Sequence, residues 1–164
     1  MIVLGLTMGM QPIVGYNFGA QKIDRVKQTL KLGIVSGVVI TSSGFFICEL
    51  FPHAVSAIFT DSDHLIDLAV DGLRITVIMF PFVGAQIVIG NFFQSIGKAK
   101  ISIFLSLTRQ LLYLLPCLLL FPNWWGLKGI WISMPVSDAL AFITAVVSLI
   151  IYIKKVSKQH PIAE

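Results

Sequence analysis

Charge is what this chain has least of. Only 12% of its 164 residues are Asp, Glu, Lys or Arg, whereas 56% are hydrophobic and the mean hydropathy is +0.89. An ordinary soluble domain carries about 25% charged residues, so water is the wrong solvent for most of this sequence. Histidine and cysteine are scarce too. His53, His64 and His160 fall at or beyond the ends of apolar stretches, no HExxH or GxSxG string occurs, and Cys48 and Cys117 lack metal-ligand spacing. Hydrolytic and metal-dependent chemistry is left without its residues, and no enzyme activity, metal or cofactor is expected. Both cysteines lie inside apolar segments, where they read as packed thiols rather than a disulfide. The opening Met1-Ile2-Val3-Leu4-Gly5 has no basic region, so no cleavable signal peptide is expected; a helix starting already in the membrane suggests the C-terminal fragment of something longer.

What is present is a succession of apolar stretches. They predict an all-α membrane protein with about five crossings, at approximately 1–16, 32–51, 73–96, 101–121 and 127–153, and a tail over 154–164. The first is a stub, about 24 Å long at helical rise. A polar connector is expected from Asn17 to Lys31. Between Pro52 and Gly72 the chain turns acidic, and Thr60-Asp61-Ser62 predicts the cap of an interfacial helix that runs on into the third span, with Pro81 inside that span. Of the 12 Lys and Arg residues, 9 lie in alternate connectors and the tail. The positive-inside rule then places the C-terminus in the cytoplasm and Trp124 and Trp125 at the outer interface. Short basic clusters of this kind, despite a net charge of +4, point to topology and a lipid bilayer, not to nucleic acid.

Ionisable groups within hydrocarbon must pair or reach water, which singles out Glu49, Arg109 and Asp138. Glu49 lies two residues from the outer end of its span and can snorkel to the headgroups. Ser102, Ser106, Arg109 and Tyr113 share one helix face, a polar stripe expected to face the bundle or a cavity. Asp138 is about 22 Å from the cytoplasmic end, too deep to snorkel, on an arc with Ser137, Ala141, Thr144, Ala145 and Ser148. Nominal depths leave Arg109 and Asp138 about 10 Å apart, so pairing and separate satisfaction both stay open. Gln11-Pro12 in the first span, and Pro81, Gly84, Gln86, Gly90, Asn91 and Gln94 in the third, suggest bent helices lining a cavity, with Gln11, Gln86, Asn91 and Gln94 as candidate substrate contacts. Gly5 with Gly9, and Gly33, Gly37, Thr41 and Gly44, permit close helix approach.

The run Gln11-Pro12-Ile13-Val14-Gly15-Tyr16-Asn17-Phe18-Gly19-Ala20 resembles the signature at the end of the eighth helix of multidrug and toxic compound extrusion (MATE) transporters. Phe92-Phe93-Gln94-Ser95-Ile96-Gly97-Lys98-Ala99-Lys100, Leu107-Thr108-Arg109-Gln110, Gly126-Leu127-Lys128-Gly129-Ile130-Trp131 and Pro135-Val136-Ser137-Asp138 resemble the following helices of its MepA-like bacterial branch. The resemblance covers nearly the whole chain and implies most of the C-terminal six-helix bundle of a twelve-helix exporter in the bacterial inner membrane. It also implies partners: an organic, often cationic, small-molecule substrate, a coupling proton or sodium ion, and the missing N-terminal bundle. Helix 73–96 contains no carboxylate over Phe82-Val83-Gly84-Ala85-Gln86-Ile87-Val88-Ile89-Gly90 of the kind some branches have there. The function expected is efflux by cation antiport. Two alternatives are a lipid-linked oligosaccharide flippase of the same superfamily and a non-transporting membrane scaffold.

Overall fold

The computed structural model describes residues 1–60 and 62–159, and among them every regular element is helical. Three continuous stretches are long and apolar enough to cross a bilayer: Ile23–Leu50, Ala99–Trp125 and Leu127–Val156. Asp63–Val77 and Phe80–Ser95 make a fourth when this pair, bent by 50°, is taken as one span. The first helix, α1 (Ile2–Gly19), is not among them, since Gln11, Tyr16 and Asn17 dilute its apolar content.

The expected polar connector after α1 is mostly helix. The chain reverses over three residues only, Ala20 to Lys22, with Gln21 at φ 59°, and α2 (Ile23–Leu50) already begins at Ile23. Its first turns carry Arg25, Lys27 and Lys31 beyond the apolar stretch, because charged side chains do not oppose helix formation once they lie outside hydrocarbon. After α3 (Pro52–Ala57), α4 (Asp63–Val77) starts from Ser62, whose N–H donates to Thr60 Oγ1 at 3.3 Å. Asp61, the middle residue of the expected cap, lies outside the described residues.

The interfacial helix enters the expected third span but does not continue through it. It stops at Val77, and α5 (Phe80–Ser95) restarts three residues later. Pro81 explains the position: it has no N–H, and its ring would collide with the carbonyl four residues back, that of Val77. Proline therefore sits in the first turn of α5, where its missing donor costs nothing.

Helix α6 (Ala99–Leu107) continues through a π-helical segment (Thr108–Leu114) into α7 (Leu115–Trp125), and α8 (Leu127–Gln159) returns alongside. The same proline rule accounts for the π segment. Pro116 would strike the carbonyl of Leu112 in an α-helix; the widened turn instead pairs the Leu115 N–H with Gln110 C=O, five residues back. Residues 154–159 of the expected tail continue α8, and 160–164 lie outside the described residues.

Helix α5 is the hub, touching α1, α2, α6 and α8. Its Val88, Ile89, Phe92 and Phe93 are buried, and Phe92, Phe93 and Tyr152 of α8 pack edge to face. Against α2 the approach is close enough that a Cβ on Gly84 would collide with Gly37 C=O, and a Cβ on Gly37 would lie 3.0 Å from Val88 Cγ2. Gly33 and Gly37 thus do provide a small-residue seam. Gly5, Gly9 and Gly44 do not, since nothing approaches within 4 Å of where their Cβ atoms would be. Many large apolar side chains stay exposed, among them Leu111, Leu112, Leu119 and Leu120 on the π segment and α7.

Candidate functional site

Polar side chains inside the apolar spans gather in two places. The first lies between the π segment and α8. Arg109 Nε and Nη2 are each 2.8 Å from Asp138 Oδ1, and Tyr113 Oη is 2.8 Å from Thr144 Oγ1. Since the Thr144 hydroxyl already donates to Leu140 C=O, the tyrosine is the donor in that second bridge. Asp138 is buried, as are Ser133, Ser137, Ala141 and Ala145 on the same helix.

The pair exists because the two helices are staggered less than nominal span ends imply. Gly129 abuts Phe121 C=O across the turn at Gly126. Counting from that contact puts Ala141 level with Arg109 and Asp138 about one helical turn further along, roughly 5 Å instead of 10 Å. The arginine side chain reaches across that turn. The rest of its expected stripe is less uniform, for Ser106 is exposed. Glu49, expected to snorkel alone, has Arg74 Nε 3.7 Å from its Oε1, and both side chains are about half exposed.

The four candidate amides do not converge. Gln11 Nε2 donates to Asn91 Oδ1 at 3.2 Å, joining α1 to α5, and Asn91 Nδ2 donates to Ile87 C=O at 3.0 Å. Gln86 lies on a different face of α5, the one bracketed by Phe82 against Phe142 and Phe93 against Tyr152, which looks toward α8. Gln94 is exposed.

Sequence reasoning missed Thr108. Helical hydroxyls in this chain commonly donate to the carbonyl four residues back, as Thr41, Ser95, Ser133 and Ser148 do. Thr108, the first residue of the π segment, makes no such bond, and its buried Oγ1 and the buried Oε1 of Gln86 are both without a partner. Gln86 and Thr108 stand eleven residues on either side of Gly97. Buried polar atoms are normally satisfied, so the bundle has hydrogen-bonding capacity at both residues that the protein alone does not use. Pro116 in an apolar run was the available signal for a distorted helix here. Among the described residues no cluster of His, Cys, Asp or Glu could hold a metal ion.

A family model described as MatE matches residues 1–119. The multidrug export protein MepA of Staphylococcus aureus (strain MSSA476) is 25% identical over 154 residues, covering 93% of this chain and 33% of that protein. A multidrug resistance MATE family transporter of the MOP superfamily superposes with a TM-score of 0.88 in its outward-facing conformation and 0.88 in its inward-facing one. Identity is 20% in each case, with 95% of this chain covered and 36% and 37% of those chains. The chain spans about a third of the length of the relatives it matches. With a family model covering most of its residues and the fold in agreement, the chain belongs to the MatE (MATE transporter) family.

Proposed function

We propose that this chain is most of the C-terminal bundle of a secondary active exporter that moves organic, often cationic, compounds by cation antiport, working with an N-terminal bundle in the bacterial inner membrane. The carrying observation is the part-buried Arg109 to Asp138 pair between a π-helical segment and α8, inside helices otherwise built for lipid. Ionisable groups at such depth are costly, and π segments recur at functional sites. The equal fit to outward-facing and inward-facing structures supports a bundle that keeps its shape while the whole rocks.

In this reading the partial bundle comprises residues 1–164, with its C-terminus in the cytoplasm, and the coupling ion is a proton or sodium. Gln11 and Asn91 present a paired amide, Gln86 an unmet acceptor and Gln94 an exposed amide to substrate. Arg109 and Asp138 form the polar link that either couples to the ion or holds the last two spans together. An oligosaccharide flippase would need free cationic groups for a pyrophosphate, and the charge of Arg109 is already met by Asp138; that supports efflux over flipping.

The test is gradient-driven flux of a fluorescent organic cation in vesicles containing the intact transporter, with a proton or sodium gradient imposed. Asp138→Asn at matched expression should lower flux and flatten its dependence on the gradient. Unchanged flux would remove the coupling role and leave the pair structural, while no gradient-dependent flux in the unsubstituted protein would favour a scaffold.

A further inference from the structure

A cavity of about 770 Å³ opens where the spans Ala99–Trp125 and Leu127–Val156 end, at the side of the bundle away from Trp124 and Trp125. It lies between the α1–α2 turn, the Gly97 turn and the last turns of α8. Lys98, Lys100 and Lys155 line it and no carboxylate does. All three lysines are exposed, and none is within ion-pair distance of an acidic group among the described residues. The remainder of the lining is chiefly apolar. Phe104 and Ile151, 55% and 63% exposed, carry that wall out onto the outer faces of α6 and α8, with Tyr152 set deeper between them. Helix α6 also begins at this lip with no acidic residue in its first turn and no side-chain cap.

We propose that this cavity binds an anionic phospholipid, with Lys98, Lys100 and Lys155 around the headgroup phosphate and one acyl chain along Phe104 and Ile151. Three like charges gathered at one cavity repel one another and are relieved by an anion. Basic pockets between spans at the membrane surface suit lipid phosphates, and each lysine near such a surface is worth about a fivefold change in binding. A free phosphate would use the lysines and leave the apolar wall idle. A phospholipid uses both, and it is present at that depth without having to enter the bundle. The cavity does not depend on what the bundle transports, only on its helices crossing a bilayer.

Native mass spectrometry of the full chain in detergent, titrated in parallel with phosphatidylglycerol, phosphatidylcholine and inorganic phosphate, tests this directly. One phosphatidylglycerol should be retained per chain, with phosphatidylcholine at least tenfold weaker. The combined Lys98→Gln, Lys100→Gln, Lys155→Gln variant should weaken phosphatidylglycerol about a hundredfold, three fivefold steps. The charge-matched control Arg25→Gln, Lys31→Gln, Lys128→Gln, none of which lines the cavity, should retain it. Phe104→Ala, which removes no charge, should weaken phosphatidylglycerol and leave inorganic phosphate untouched. Equal retention of the two lipids, equal loss in the control, or complete displacement of phosphatidylglycerol by millimolar phosphate would each overturn the proposal.

Discussion

Two nitrogens of Arg109, Nε and Nη2, converge on one carboxylate oxygen, Oδ1 of Asp138, each at 2.8 Å. The Arg109 side chain is 36% exposed and that of Asp138 10%, so Asp138 depends on Arg109 more than the reverse. Removing the arginine strands a buried charge, whereas removing both leaves two spans that apolar side chains can pack. Arg109→Leu should therefore destabilise the bundle by ~3 kcal/mol, Asp138→Leu by less, and the double substitution by under ~1 kcal/mol. Thermal or denaturant unfolding in detergent gives the cycle; an additive double variant would show that the two groups do not support each other.

Close contact between α2 and α5 rests on a missing side chain. A methyl group at Gly84 would meet the backbone carbonyl of Gly37 and lie 2.5 Å from Thr41 Oγ1, neither of which is the free end of a flexible chain. Gly84→Ala should cost ~1–3 kcal/mol, the usual range for overpacking. Gly44→Ala, on the same helix as Gly37 but with nothing within 4 Å, should be neutral or slightly stabilising. Matched melting curves for the two variants decide the matter.

Much of this architecture was legible in the sequence because the bilayer imposes long apolar runs and punishes buried charge. Arg109 and Asp138 stood out by chemistry alone. Their contact did not, since depths counted from nominal span ends accumulate errors of several residues, and only the Gly129 to Phe121 approach sets the true stagger. The break before α5 was misplaced because proline acts on the carbonyl four residues earlier, and so ends the helix at Val77 instead of bending it at Pro81. The amides looked like one cavity lining because their shared polarity says nothing about helix face: Gln86 and Asn91, five residues apart, point about 140° apart. Thr108 was invisible, since nothing in the sequence separates it from the helical threonines and serines whose hydroxyls bond the carbonyl four residues back.

Gln86 separates stability from function. Its buried oxygen has no partner, so Gln86→Leu removes an unmet acceptor and should stabilise the bundle by about 1 kcal/mol while lowering transport of the fluorescent cation. Gln11→Leu breaks the bond to Asn91 and should cost about 1 kcal/mol in the same unfolding assay. A destabilised Gln86→Leu variant would mean that the oxygen is satisfied by a partner such as bound water.

The π segment makes the most demanding prediction, because it ties Pro116 to a side-chain contact at Arg109, about two turns away. Pro116 forbids the ordinary bond pattern at Leu112, and the widened turn shifts the facing of every residue from Thr108 to Leu114 relative to α7. Pro116→Ala lifts that restriction. The segment should then relax toward regular α-helix, which rotates Arg109 and Tyr113 away from Asp138 and Thr144 by up to the ~100° of one residue. Overall stability should change little, since one helical hydrogen bond is gained as two polar bridges weaken. The coupling energy between Arg109 and Asp138 should fall by at least half when the double-mutant cycle is repeated in the Pro116→Ala background. An unchanged coupling energy there would mean that tertiary packing, and not the proline, holds the π segment in place.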